Sequence, residues 1–179
     1  MPLPDFQRNY FQLFDLPVDF ALDQVQLGAR YRQLQKEMHP DRYAGASAYE
    51  QRLAVQYSSR INEAYATLRK PLTRALCLLD IAGMTAKDIS AVPLDGGFLI
   101  AQMELREKLE NMEDLVDPET ALDHLVAEIG ADVAALQDQF SRAYAASEMA
   151  AAASACVKMQ YLDKLLQEAE HLESRLIDN

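Results

Sequence analysis

Strand signals are nearly missing from this chain. No run of alternating β-branched residues occurs in its 179 residues, and apolar side chains recur almost everywhere at helical intervals. A sheet-based fold is thereby excluded and an all-α fold predicted. Cysteine is scarce too. Cys77 and Cys156 lie far apart in apolar helical stretches, which predicts two small core residues in a reducing, cytoplasmic setting rather than a disulfide framework. His39, His124 and His171 are scattered and no C-x-x-C pair exists, so no metal site is expected. A Gly-rich phosphate loop is absent, which leaves no expected nucleotide or other cofactor. Long hydrophobic runs are missing as well. Even the stretch Ala143 to Ala155 is broken by Ser147, Glu148 and Ser154, too polar to span a bilayer, and the opening residues carry Asp5 and Arg8, unlike a secretory signal.

Positive charge is in deficit, but only in one half. The formal net charge is −11, yet residues 1–80 hold ten Lys/Arg against nine Asp/Glu, whereas residues 81–179 hold seven against nineteen. Phosphates need a cationic face, so this balance argues against nucleic acid or an anionic membrane as the main target. It also predicts that the two halves meet different partners. With 50% hydrophobic residues, the chain has enough apolar side chains for a true core.

Order along the chain follows from caps and breakers. A short first helix is predicted from Asn9 or Tyr10 to about Asp15, ending before Pro17. Asp23, with Gln26 three residues later, starts a second helix that carries Leu27, Tyr31, Leu34 and Met38 on one face. Gly28 lies inside it without a sequence reason. Ser47 and Glu50 have capping-box spacing ahead of Leu53, Tyr57, Ile61, Ala64 and Leu68. Pro71 then begins a short helix that stops before Gly83. Residues 83–96 contain Thr85, Ser90, Pro93 and Gly96 without apolar periodicity and are expected to be a linker between domains at 1–82 and 97–179. Beyond it, a helix is predicted from Gly97 to about Leu115. A restart at Asp117-Pro118 leads a helix through Leu122, Val126, Ile129, Val133, Leu136, Phe140 and Tyr144. After a turn near Ser147, a last helix carries Leu162, Leu165, Ala169, Leu172 and Leu176. Three long helices with short connections predict an antiparallel bundle.

The tripeptide His39-Pro40-Asp41 stands between the second and third helices. Pro40 cannot continue the helix and pushes His39 into extended backbone, so His39 and Asp41 fall at the mouth of a helical hairpin. A catalytic pair, a metal site, a recognition tip and ordinary loop chemistry are all readings of such residues. Catalysis needs a nucleophile or second acid beside the base, and none lies near in sequence. Taken alone, the residues favour loop chemistry.

Two further faces stand out. At about 100° per residue, Arg32 and Lys36 fall opposite the apolar face of the second helix, with Arg30 on one flank; this is either a solvated face or a cationic docking stripe. In the helix from Gly97, Phe98, Leu105, Leu109 and Met112 suffice to bury one side. Leu99, Ile100 and Met103 cluster on roughly the opposite side, edged by Glu104, Glu107 and Glu110. An apolar patch bordered by carboxylates is either a partner site or a face packed on another part of the chain.

These residues carry a resemblance. Tyr10-Phe11-Gln12-Leu13-Phe14-Asp15-Leu16-Pro17, Tyr31-Arg32-Gln33-Leu34, the His-Pro-Asp signature, and Ile61-Asn62-Glu63-Ala64-Tyr65 with Leu68, in that order, resemble the J-domain of DnaJ-type co-chaperones. Phe98-Leu99-Ile100-Ala101-Gln102-Met103-Glu104-Leu105-Arg106-Glu107, together with Tyr161-Leu162-Asp163-Lys164-Leu165, resembles the C-terminal domain of the HscB family, the J-type co-chaperones of iron-sulfur cluster assembly. The resemblance implies a non-enzymatic co-chaperone with two partners. His39, Pro40 and Asp41, with Arg30, Arg32 and Lys36, would contact an HscA-like chaperone of the DnaK type and stimulate its ATPase. Leu99, Ile100, Met103, Glu104, Glu107 and Tyr161 would bind the IscU-type scaffold protein. Gly28 and Gln33 depart from the family pattern, which expects basic residues there, and Asn111 stands where an acid is expected.

Overall fold

A computed structural model describes residues 5–177, which form eight α-helices and two 3₁₀ turns, with no strand among the described residues. The chain divides into two compact units, one ending at Ala82 and the other beginning at Gly83.

The first unit holds four helices. α1 (Tyr10–Leu13) is a single turn fixed by a capping box between Asn9 and Gln12. It stops where Asp15 takes a left-handed backbone, φ 53°, a conformation short polar side chains tolerate best after glycine. α2 (Gln24–Glu37) starts at Asp23, whose carboxylate accepts the Val25 and Gln26 amides. α3 (Ala48–Arg69) starts from the Ser47/Glu50 capping box, and α4 (Pro71–Ile81) follows a one-residue break at Lys70. Phe11, Phe14, Leu27, Ile61, Leu68, Leu78 and Leu79 are fully enclosed and form the core. Tyr31 stacks on Tyr65, and its hydroxyl donates to Asn62 Oδ1 at 3.0 Å, which ties α2 to α3. Gln35 donates to the same oxygen. Arg74 is buried too: its Nη1 donates to the Leu68 carbonyl at 2.7 Å, its guanidinium lies over the Phe20 ring, and burial lowers its pKa. That carbonyl, near the end of α3, would otherwise have lacked a helical partner.

The second unit begins differently from expectation. Within the stretch expected as a linker, Ala86–Ser90 forms α5, started by a Thr85/Asp88 capping box, with Ile89 buried. One turn of helix leaves too few apolar residues for a period to register. α6 (Gly96–Glu110) ends five residues short of the expected Leu115, giving way to a 3₁₀ turn over Met112–Asp114. α7 (Pro118–Ala145) and α8 (Met149–Ile177) complete a three-helix bundle, reversing at Ser147, which takes φ 60°. Its core joins Leu105, Leu109 and Met112 to Leu122, Leu125, Ile129, Leu162, Leu165, Ala169 and Leu172. Leu125, not Val126, occupies the core stripe of α7; Val126 is 39% exposed. The alanine-rich stretch is core as well, for Ala152, Ala153, Ala155 and Cys156 are sealed off. Burial pushes the Cys156 thiol up to about 12 and that of Cys77 to about 11. Among the described residues, no helix is long and apolar enough to cross a membrane.

Candidate functional site

At the end of the hairpin, His39 caps a 3₁₀ turn over Pro40–Tyr43 from an extended backbone, φ −61° and ψ 129°, as a residue preceding proline must. Its Nδ1 accepts the Asp41 amide at 3.3 Å and lies 3.5 Å from Asp41 Oδ2. A ring that accepts at Nδ1 keeps Nε2–H as its free donor. Both side chains face water, at 53% and 89% exposure. The turn is secured from below. Arg42 Nη1 donates to the Lys36 carbonyl at 3.2 Å and the Tyr43 hydroxyl to the Glu37 carbonyl at 3.4 Å, so two terminal carbonyls of α2 gain partners from the loop itself. The side chain of Pro40 lies outside the described part of the structure.

Arg32 and Lys36 are exposed on α2 and Arg30 is half-buried. Lys36, Gln35, His39 and Arg42 line one open hollow beside the tip. Gln33 accepts from Arg30 at 3.5 Å and donates to Glu37 at 3.0 Å, an amide bridging two charges where a cation was expected. A Cβ on Gly28 would meet only the end of the Arg32 side chain, so nothing in the structure explains that glycine.

The second candidate face lies on the bundle. Leu99, Ile100 and Met103 are 37%, 61% and 63% exposed, while the same helix buries Leu105 and Leu109. Glu104 and Glu107 are exposed along this strip, and neither joins an ion pair among the described residues. Tyr161 of α8 is 38% exposed and meets Phe98, the residue that precedes the strip, edge-to-face with centroids 6.1 Å apart. Asn111 donates through Nδ2 to the Glu107 carbonyl at 3.0 Å, closing the end of α6 in a way no carboxylate could.

Sequence reasoning missed the groups that hold this face. Asp95 Oδ1 accepts the Phe98 amide at 2.8 Å while Oδ2 receives Lys158 Nζ at 2.5 Å. The Lys158 hydrogen bond first, and the Phe98 amide second, hold the Asp95 carboxyl below its usual range. Lys158 Nζ lies 5.3 Å from the Phe98 ring centroid, and Lys164 lies 5.9 Å from that of Tyr161. An Asp just before Gly96-Gly97 is a readable cap, but its partner sits 63 residues away.

Two polar side chains thus stand exposed at the end of a hairpin, on a turn secured by its own loop. The fold and this tip define a J-type co-chaperone. Residues 94–170 match the family model described as the HSCB C-terminal oligomerisation domain. Over 171 residues the chain is 41% identical to the co-chaperone protein HscB homolog of Aeromonas hydrophila, covering 96% of this chain and 99% of that one. Chaperone HscB from Vibrio cholerae superposes with a TM-score of 0.85 at 40% identity, over 94% of this chain and 99% of that structure. Human co-chaperone HscB gives 0.87 at 30% identity, over 95% and 84%. The chain belongs to the HscB family of co-chaperones.

Proposed function

We propose that this protein carries an IscU-type scaffold protein to an HscA-like chaperone of the DnaK type during iron-sulfur cluster assembly in the cytoplasm, and stimulates that chaperone's ATPase. In this reading residues 1–82 act as the J-domain. His39, Pro40 and Asp41 trigger hydrolysis, with Arg30, Arg32 and Lys36 steering an acidic chaperone surface toward the tip. Residues 97–179 hold the scaffold through Leu99, Ile100, Met103, Glu104, Glu107 and Tyr161.

The observation that carries the reading is the exposure of Leu99, Ile100 and Met103 on a helix whose other side is already buried. A helix serving only its own bundle gains nothing from three apolar side chains in water. Bordered by carboxylates that join no ion pair among the described residues, the strip fits a partner that offers apolar contacts ringed by cations.

The deciding experiment measures steady-state ATP hydrolysis by a purified HscA-type chaperone with this chain, with an IscU-type scaffold, and with both. A synergistic rise is expected. Stimulation indifferent to the scaffold would favour a general J-type co-chaperone serving another client, and no stimulation would defeat both readings.

A further inference from the structure

The apolar strip rides on the part of α6 least secured by its own sequence. Gly96 and Gly97 open the helix, glycine being among the poorest helix formers, and the buried residues of α6 are Leu105 and Leu109, both beyond Met103. Over the first two turns only the half-buried Phe98 packs against the bundle core, so the strip depends on what holds Phe98 in place. Asp95 and Lys158 provide that hold. A single carboxylate closes the start of α6 through Phe98 N–H and grips α8 through Lys158 Nζ. Lys158 is only 17% exposed, and its ammonium lies against the Phe98 ring, whose other neighbour is Tyr161, one turn further along α8.

We infer that Asp95 and Lys158 are positioning residues for the scaffold site. They clamp the start of α6 to α8 so that Leu99, Ile100, Met103 and Tyr161 stand as one pre-ordered surface. This rests on the reading of that strip as the scaffold-binding face. Order set before binding need not be imposed during it, so the clamp acts on affinity without touching the partner.

The test titrates the full chain with a purified, cluster-free IscU-type scaffold by calorimetry and follows backbone amide exchange. Asp95→Asn keeps an oxygen for the Phe98 amide, because Asn caps helices as well as Asp does, but removes the charge facing Lys158. Lys158→Met keeps the apolar stem and removes the ammonium; Lys158→Arg retains the charge. Asp95→Asn and Lys158→Met should each raise Kd about three- to tenfold, as expected for losing a charge-assisted hydrogen bond that acts only through order. Amide exchange should quicken over residues 99–103 but not around Leu165, and Lys158→Arg should recover most of the affinity. An unchanged Kd in both charge-removing variants, beside a Met103→Ala control that weakens binding, would overturn the inference. So would equal loss of protection around Leu165, which would make the pair a general stability element. A Met103→Ala control that binds normally would remove the scaffold reading itself, and the clamp's role with it.

Discussion

Tyr31 and Tyr65 lie face to face across the hairpin, ring centroids 4.0 Å apart and planes 14° from parallel. Together with the Asn62 oxygen that accepts from both Tyr31 and Gln35, the stack fixes α2 against α3, and with it the place where α2 releases the His39 turn.

Removing the stack should therefore cost more than removing the hydroxyl. Tyr31→Phe loses one hydrogen bond and leaves Asn62 satisfied by Gln35, for an expected loss of about 1 kcal/mol. Tyr31→Ala also loses the ring from a half-buried site, for about 2–3 kcal/mol. Urea unfolding followed by circular dichroism checks the order; equal losses would mean that the rings contribute nothing.

The two candidate sites should separate by mutation. His39→Gln is expected to abolish ATPase stimulation while leaving scaffold affinity unchanged. The double change Leu99→Ala/Met103→Ala should weaken scaffold binding about ten- to hundredfold. It should spare stimulation measured without scaffold and, because both side chains face water, shift stability by only about 0.5 kcal/mol. A folded single-site variant that lost both activities would contradict the division.

Asn111→Asp should set stability against binding. The change removes the donor to the Glu107 carbonyl and adds a negative charge at the carbonyl end of α6, for a loss of about 1 kcal/mol in stability. The added carboxylate extends the row of Glu104 and Glu107, so affinity for a scaffold with a cationic rim should rise severalfold at low salt and fall back at high salt. Titrations at two ionic strengths read the difference directly.

The thiols give a pH dependence with a definite sign. In the fold Cys77 and Cys156 are raised to about 11 and about 12, from a reference value of 9.0 in each case. The folded state thus holds these protons more tightly than the unfolded chain. Their contribution to stability is complete below pH 9 and fades as pH rises toward the folded values. Thermal unfolding between pH 8 and pH 11 should show a progressive loss, reduced by Cys156→Ala. At neutral pH iodoacetamide should label Cys156 far faster in the unfolded chain than in the folded one, and comparable rates would show that this thiol is not enclosed.

What could be read from the sequence was what is decided locally. The Ser47/Glu50 box, the stop at Pro40 and the restart at Asp117-Pro118 are set by neighbours within four residues, and each lies where the pattern put it. The choice between Leu125 and Val126 was not legible in the same way. Both fit an approximate helical interval, and only the packing of the other helices of the bundle determines which is enclosed. α5 has one turn and one buried side chain, Ile89, too short for any period to emerge. In the candidate sites, the residues themselves place His39 and Asp41 at the mouth of the hairpin, whereas exposure of Leu99, Ile100 and Met103 is one of two readings, favoured only by the resemblance. The Asp95–Lys158 link was not legible, because it joins residues that helical spacing cannot relate.

Ala152, Ala153 and Ala155 are enclosed at the start of α8 with no accessible surface between them. A side chain even two carbons larger has nowhere to go there unless α8 shifts from the elements that cover it, so this bland segment should be one of the least permissive in the protein. Saturation mutagenesis would trace it as a narrow band in which only glycine- or serine-sized replacements survive. The gaudier surface of α6, by contrast, should accept most changes until a partner is added to the assay.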